Sequence, residues 1–153
     1  MLPALLLAST LFTPQQVTAL NQAYAEGSLY GIGKTFMAVV MVESSACINV
    51  RGDDGTSWGC GQLKVATART ICRCRITPRR LVSDKYKNLQ ISAQFLANCF
   101  QRFYPDSARA TICYNIGEPK AATLTNSEVA HSKYVARVKA WLKILKAIPV
   151  DYD

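Results

Sequence analysis

The stretch Phe36-Met37-Ala38-Val39-Val40-Met41-Val42-Glu43-Ser44 joins a continuous apolar run to a single carboxyl group. The sixteen residues before Glu43 contain no other acid, and the run predicts a buried helix over 34–44. A carboxyl in the last turn of that helix would lie among side chains that favour burial. Because burial disfavours the charged form, it would raise the pKa of Glu43 and make the group an acid near neutral pH. The alternative is a solvated glutamate at a helix end.

Around this run, the sequence predicts further helices separated by short polar breaks. Thr13-Pro14-Gln15-Gln16 combines an N-cap, a first-turn proline and a capping-box glutamine, and it begins a helix that Gly27 ends. Asp54-Gly55 is a turn signal in a polar, glycine-rich segment and predicts a two- or three-stranded β-ribbon. The other predicted helices cover 63–72, 84–103, 107–115 and 127–146. The predicted fold class is therefore mostly α with a small β-hairpin element, that is, α+β.

The length of 153 residues fits one domain, which we expect to comprise an N-terminal segment with the first helix (1–33), a core (34–146) and a tail (147–153). Eighteen Lys and Arg against ten Asp and Glu give a net charge of +8, which indicates an anionic partner or surface. Eight of the basic residues lie between Lys64 and Lys87. No zinc-finger spacing or RNA-recognition signature accompanies them, so we expect a solubilising basic face and no specific nucleic-acid partner.

Six cysteines are many for this length, and their even number favours two or three disulfides in an oxidising compartment. Buried free thiols are the alternative. With one histidine, His131, and no C-x₂-C spacing, neither a metal site nor a cofactor is predicted. Six cysteines allow fifteen pairings, so the connectivity stays open. We expect only that Cys72 and Cys74 do not bond each other.

The apolar segment Met1 to Phe12 is interrupted by Pro3, lacks a preceding positive charge and is too short to span a bilayer. It fits either an atypical secretion signal, with Ala8-Ser9-Thr10 as the cleavage candidate, or a buried N-terminal segment. No other segment predicts a transmembrane anchor.

Short motifs occur in a fixed order after Phe36: Glu43-Ser44, then Ser57-Trp58-Gly59-Cys60-Gly61-Gln62-Leu63, then Tyr114-Asn115-Ile116-Gly117, and finally Tyr134. This order resembles the catalytic domain of the soluble type of lytic transglycosylase, a member of the lysozyme-like superfamily that cleaves peptidoglycan. The pattern there is E-S, S-x-G-L-M-Q, A-Y-N-x-G and a late tyrosine. The resemblance runs over about 36–138 and implies a lysozyme-like domain. Taken singly, the motifs could be a turn, a helix end and a core tyrosine.

The resemblance implies a role for each matching residue. Glu43 would be the sole catalytic acid/base, and Ser44 would fix the geometry around it. The other implied substrate-binding residues are Ser57, Gly61, Gln62, Tyr114, Asn115 and Tyr134. Within this set, Tyr114 and Asn115 would contact the N-acetylmuramoyl sugar. Two cysteines, Cys60 and Cys113, lie inside or beside the motifs where other residues are usual, which suggests that disulfides brace this wall of the site.

Most glycosidases need a second carboxylate, for which Asp53 and Asp54 are candidates. The segment 54–62 also looks like the D-G-S-T-D-x-G-x-x-Q stretch of animal-type lysozymes, but Ser57 stands at the position of their second aspartate. Its absence favours a mechanism in which the substrate's own 2-acetamido group attacks the anomeric carbon. We therefore expect a lytic transglycosylase ahead of a hydrolysing muramidase that uses Asp53 or Asp54.

The expected function is cleavage of the β-1,4 bond between N-acetylmuramic acid and N-acetylglucosamine, giving 1,6-anhydromuramoyl products. A catalytically silent, lysozyme-like structural or wall-binding protein is the alternative from another class. The expected partners are peptidoglycan glycan strands and also phage-virion or secretion-apparatus proteins. The expected location is the bacterial envelope, at the periplasm, reached by export or in a phage virion.

Overall fold

The computed structural model describes residues 10–52 and 55–149. Helices dominate these residues, and one two-stranded antiparallel sheet accompanies them, so the predicted α+β class is confirmed. In chain order the elements are α1 (Pro14–Ser28), α2 (Gly33–Ser44), β1 (Ser57–Trp58), β2 (Leu63–Lys64), α3 (Val65–Cys72), α4 (Pro78–Ser83), α5 (Lys85–Phe103), α6 (Ser107–Ile116), α7 (Glu118–Thr123), α8 (Asn126–Ala130) and α9 (Lys133–Lys146).

Helix α2 is the central element of the core. Its residues Phe36, Ala38, Val39 and Val40 have no exposed surface, and the helix packs mainly against α1 and α9. Adjacent β-branched valines favour helix weakly, so burial rather than intrinsic propensity stabilises this segment. Full burial of one such side chain contributes about 1.5–3 kcal/mol. The helix on which Glu43 lies is therefore held rigidly.

The start of α1 has the predicted capping box. Thr13 accepts a hydrogen bond from the Gln16 backbone at 3.2 Å, and the Gln16 side chain accepts one from the Thr13 backbone at 3.0 Å. The Gln16 amide also donates to the Ser45 carbonyl at 3.1 Å. This bond ties the beginning of α1 to the turn that follows Glu43. The preceding residue Phe12 is buried against Trp141, whereas residues 1–9 of the proposed signal segment lie outside the residues that the structure describes.

The predicted β-ribbon is present and has two turns. Ser57 pairs with Lys64 and Trp58 with Leu63, while an isolated bridge joins Arg51 to Trp58. The first turn holds Gly55 at φ +65°, as the Asp54-Gly55 signal predicts, although Asp53 and Asp54 themselves lie outside the described residues. The second turn, over 59–62, was not predicted and carries Gln62 at the edge of the ribbon.

Two predictions on helices need correction. The single helix expected over 127–146 is divided into α8 and α9, because the Ser132 hydroxyl accepts a hydrogen bond from the Val135 backbone and caps a new helix. Helices α4 and α7 were missed, although each has a proline in its first turn, a known start signal. The long α5 begins at its N-cap Asp84, as predicted. At the other end of the described chain, Ile148 packs against the core.

The six cysteines form three disulfides, Cys47–Cys60, Cys72–Cys74 and Cys99–Cys113, as expected for an oxidising compartment. The expectation that Cys72 and Cys74 do not bond each other was wrong. Arg73 between them adopts a left-handed conformation at φ 49° and ends α3, which reverses the chain so that the two Cα atoms lie 5.2 Å apart. Bridged cysteines commonly have this separation.

The described segments were also searched for membrane-crossing helices. Within 10–52 and 55–149, no helix is both long and apolar enough to cross a bilayer.

Candidate active site

Glu43 lies in the last turn of α2 and is partly buried. Burial raises the pKa of its carboxyl from 4.5 to about 7, although a hydrogen bond from Tyr134 and the charge of Arg137 both act to lower it. The desolvation effect is therefore the larger one. A carboxylic acid that keeps its proton at neutral pH can protonate a leaving group.

Tyr134, near the start of α9, donates its hydroxyl proton to Oε1 of Glu43 at 2.5 Å. Burial and the neighbouring Glu43 raise the pKa of Tyr134 well above 10, so the phenol stays protonated and acts as a donor to the carboxyl. The bond joins two residues that are 91 positions apart in the sequence, and it fixes the rotamer of the Glu43 side chain.

Ser44 is fully buried and hydrogen-bonded within the protein, which makes it a structural residue of the site. Its hydroxyl donates to the Cys60 carbonyl at 2.6 Å and accepts from the Cys47 backbone at 2.9 Å. The next three residues, 45–47, all have positive φ values of 51°, 55° and 66°. Such conformations cost L-residues about 1–2 kcal/mol each, so the Ser44 bonds and the Cys47–Cys60 disulfide must hold this strained turn in place.

The second turn of the ribbon is anchored by Asn88 of α5, which the sequence did not single out. This fully buried side chain accepts from the Gly61 backbone at 2.8 Å and donates to the carbonyls of Trp58 and Leu81 at 2.9 and 3.1 Å. The Gln62 amide in turn donates to the Gly59 carbonyl at 2.9 Å. An asparagine on a helix face that is otherwise apolar apart from Ser92 was the only sequence signal for this anchor.

Tyr114 of α6 is buried, and its hydroxyl is already bonded within the protein. It donates to the Gly61 carbonyl at 2.7 Å, and its ring centroid lies 5.1 Å from that of Phe95. Burial, followed by the charge of Glu43, raises the pKa of Tyr114, which leaves the phenol neutral. Asn115 is exposed instead, and no hydrogen bond of its side chain is recorded within the described residues. Its amide is therefore available to a ligand.

These side chains surround a cleft of about 390 Å³. Five predicted site residues line it together: Glu43, Ser57, Gln62, Tyr114 and Asn115. Ser44, Gly61 and Tyr134 do not line the cleft. Ser44 and Gly61 form hydrogen bonds that hold the neighbouring backbone, and Tyr134 donates a hydrogen bond to the Glu43 carboxyl. Side chains that were not predicted also line it: Leu63, Lys64, Thr67, Phe95, Ile116 and Lys120.

The cleft carries the groups needed for acid catalysis on a polar substrate. Among the described residues that line it, Glu43 is the only carboxylate. Amide groups of Gln62 and Asn115 and the cations of Lys64 and Lys120 supply polar contacts around that acid. The two candidates for a second carboxylate, Asp53 and Asp54, lie outside the described residues.

The chain is similar to known proteins over most of its length. The model of the family described as "Transglycosylase SLT domain" matches residues 22–135, which is most of the chain. The chain is also 28% identical over 116 residues to the X polypeptide of Escherichia coli, and the aligned part covers 74% of this chain and 68% of that protein. No solved structure matches the chain significantly. The chain belongs to the transglycosylase SLT domain family of lysozyme-like proteins, whose family-level activity is that of a peptidoglycan lytic transglycosylase.

Proposed function

We propose that this protein cleaves the β-1,4 bond between N-acetylmuramic acid and N-acetylglucosamine as a lytic transglycosylase, with Glu43 as the sole acid/base. One observation carries the proposal: a partly buried carboxyl whose pKa is raised to about 7 lines a cleft together with Gln62, Tyr114 and Asn115. Near pH 7 such a group is populated in both protonation states, so it can donate a proton in one step and accept one in the next.

In the first step, protonated Glu43 donates its proton to the glycosidic oxygen while the bond from that oxygen to the anomeric carbon breaks. The carbonyl oxygen of the substrate's 2-acetamido group attacks the anomeric carbon and satisfies its developing charge. In the second step, the Glu43 carboxylate takes the proton of the muramoyl 6-hydroxyl, whose oxygen displaces the acetamido oxygen and closes the 1,6-anhydro ring. Glu43 thereby regains the proton that it donated in the first step, and no water is consumed.

Ser57 supports this route over hydrolysis. It occupies the position at which animal-type lysozymes have their second aspartate, and it lines the same cleft as Glu43. An inverting or retaining hydrolase would need a carboxylate near that place. A hydrolytic route would have to use Asp53 or Asp54.

The remaining residues are assigned roles that follow from their contacts. We assign Gln62, through its amide oxygen, and Asn115 to hydrogen bonds with the sugars, the latter to an acetamido group, because both side chains line the cleft. Tyr114 would contact the sugar through its ring, since its hydroxyl donates a hydrogen bond to the Gly61 carbonyl. Ser44 and Gly61 would act by supporting the turn that carries Gln62, and Tyr134 by orienting the Glu43 carboxyl.

The charge and the disulfides suit a place of action in the bacterial envelope. A net charge of +8, with Lys64 and Lys120 at the cleft, attracts an anionic cell wall. Three disulfides suit an oxidising, extracytoplasmic compartment. We propose export to the periplasm, or delivery with a phage virion or a secretion apparatus whose proteins would then be partners.

The products of digestion test the proposal most directly. Mass spectrometry of purified sacculi treated with the protein should show anhydromuropeptides, ~18 daltons lighter than products with a reducing end because one water is not added. Reducing-end products would contradict the transglycosylase route and favour a hydrolase that uses Asp53 or Asp54. Binding to sacculi without any product would indicate a silent wall-binding protein.

Replacing Tyr134 by phenylalanine tests the pH dependence of the acid. The lost hydrogen bond is one that lowers the pKa of Glu43, so its removal should raise that pKa further. A hydrogen bond to a charged group contributes about 1.5–3 kcal/mol, so the alkaline limb of the kcat/KM profile should move upward by about one to two pH units. The rate at the optimum should fall because the carboxyl is less well oriented.

The exposed tyrosine Tyr104 provides the matched control for this substitution. It is 87% exposed, and Tyr104→Phe should leave the pH profile of the wild type unchanged. An unshifted alkaline limb in Tyr134→Phe would show that Glu43 is not the group that titrates in the profile.

A further inference from the structure

The Cys72–Cys74 disulfide differs from the other two in its exposure. Cys47, Cys60, Cys99 and Cys113 are at most 2% exposed, so an external thiol reaches those bonds only after the core opens. Cys72 and Cys74 are both partly exposed at the end of α3. Attack of a thiolate on a disulfide needs direct access to one sulfur.

The loop that this disulfide closes is also far shorter. The bridged cysteines are 2 residues apart, against 13 and 14 in the other two pairs. In the chain-entropy model, a disulfide stabilises the protein less as the loop it closes becomes shorter. The difference in loop length raises the equilibrium constant for reducing Cys72–Cys74 about tenfold above that of the other two disulfides. Because only a short turn is constrained, opening this bond leaves the core intact.

The surrounding charge favours the thiolate that an exchange reaction releases. Arg73 lies between the two cysteines and Arg75 follows them, and both are exposed. Neither takes part in the ion pairs recorded among the described residues. Neighbouring cations stabilise a cysteine thiolate, which makes it the better leaving group.

A cavity of about 650 Å³ opens beside this disulfide. Cys72 and Arg73 line it together with Lys87, Leu29, Tyr30 and Ile71, and Leu29 is 75% exposed. One acid, Glu26, also lines it, but its carboxylate accepts a hydrogen bond from the Tyr86 hydroxyl. The cavity therefore offers apolar surface next to a reachable sulfur, with two cations, Arg73 and Lys87, against the one carboxylate of Glu26.

We propose that Cys72–Cys74 is a thiol–disulfide exchange site whose substrate is a dithiol on an acidic peptide segment held in this cavity. One substrate thiolate attacks a sulfur of the pair, forms a mixed disulfide and releases the other cysteine as a thiolate. The second substrate thiolate attacks the mixed disulfide and displaces the remaining cysteine. The substrate dithiol loses two electrons and becomes a disulfide, and Cys72 and Cys74 gain them as two thiols, with both protons passing through water. This activity is independent of glycan cleavage.

The order in which the disulfides are reduced tests the proposal on the wild-type protein. The folded protein is equilibrated in glutathione redox buffers, quenched with an alkylating reagent and mapped by mass spectrometry. Cys72 and Cys74 should be labelled first, at a reducing strength about tenfold below that needed for the other pairs, with circular dichroism unchanged. Labelling of Cys72 and Cys74 together with, or after, the buried pairs would overturn the proposal.

The charge preference separates an exchange site from a bond that is merely exposed. The Arg73→Ala/Arg75→Ala variant should react several-fold more slowly with glutathione, which is anionic, and should be slowed less with the neutral 2-mercaptoethanol, for which only the leaving-group effect of the arginines is lost. The matched variant Lys139→Ala/Lys143→Ala removes two exposed charges elsewhere and should behave as wild type with both thiols. Equal slowing in the two double variants, or none in the first, would show that the arginines do not recruit a substrate. The wild type should also oxidise an acidic dithiol peptide faster than a basic one, and the reverse order would contradict the proposal.

Discussion

Glu43→Gln is expected to abolish the clearing of purified sacculi, with a loss of rate of about 10³-fold or more, because one carboxyl serves as acid in the first step and as base in the second. Glutamine keeps the shape of the side chain and can still accept the Tyr134 hydrogen bond, but it has no proton to donate at neutral pH. The measurement is turbidity loss, together with release of anhydromuropeptides. Residual activity within tenfold of the wild type would contradict the role of Glu43.

Two controls separate catalysis from binding and folding. Pelleting of Glu43→Gln with sacculi should persist, because the amides that line the cleft are unchanged. Glu118→Gln removes a carboxyl that is exposed and paired with Arg102 at 2.7 Å. Exposed ion pairs contribute little to stability, so this variant should clear sacculi at the wild-type rate.

The difference in stability between the wild type and Glu43→Gln should depend on pH in a direction set by the raised pKa of Glu43. The pKa of Glu43 is about 7 in the folded protein and 4.5 in the unfolded chain. The stability that this difference represents is fully present below pH 4.5 and is lost as the pH rises through 7. The variant lacks this dependence, so above pH 7 its free energy of unfolding should exceed that of the wild type, by up to roughly 3 kcal/mol. A variant that is less stable than the wild type at pH 8 would contradict the burial of a titrating carboxyl here.

The features that the sequence predicted well are those with a local physical cause. The capping box at Thr13 and Gln16 needs only residues three apart, and the α2 run needs only an apolar sequence long enough for a helix. The position of Glu43 at the end of that run followed from the same stretch. Its raised pKa was expected for the cause that the structure gives, burial.

Contacts between distant segments were not predictable in the same way. Tyr134 reaches Glu43 across 91 residues, and Tyr114 reaches Gly61 across 53. The resemblance suggested that both tyrosines contact substrate, but it could not indicate that their hydroxyls are committed to the protein. The Cys72–Cys74 bond depends on a left-handed conformation at Arg73, which no residue preference predicts.

The Asn88 anchor limits which residues fit in the second turn of the ribbon. One side chain bonds three backbone groups, and Ser92, one turn further along α5, donates to its Oδ1 at 3.3 Å. Gly59 and Gly61 give the backbone its close approach to these side chains. A Cβ added at Gly61 would lie 1.9 Å from the Ser92 hydroxyl oxygen. The glycines of this motif are therefore required by packing against α5.

Gly59→Ala is expected to destabilise the protein by about 3 kcal/mol or more, because a left-handed conformation and a steric collision add together. Gly59 has φ +81°, and a Cβ there would lie 2.1 Å from the Asn88 amide nitrogen and 2.2 Å from the Leu81 carbonyl oxygen. The backbone oxygen cannot move aside without breaking the anchor. For a chain of this size, the loss corresponds to about 10 °C in the midpoint of thermal unfolding.

Gly31→Ala is the matched control, since Gly31 has a similar φ of +72° but no atom within 4 Å of its added Cβ. It should cost only the left-handed conformation, about 1 kcal/mol, partly offset by the lower entropy of the unfolded chain. The difference between the two variants in denaturant unfolding therefore measures the collision with the Asn88 anchor alone. Equal losses in the two variants would mean that the turn over 59–62 moves freely away from α5, and the cleft would then have no fixed position for Gln62.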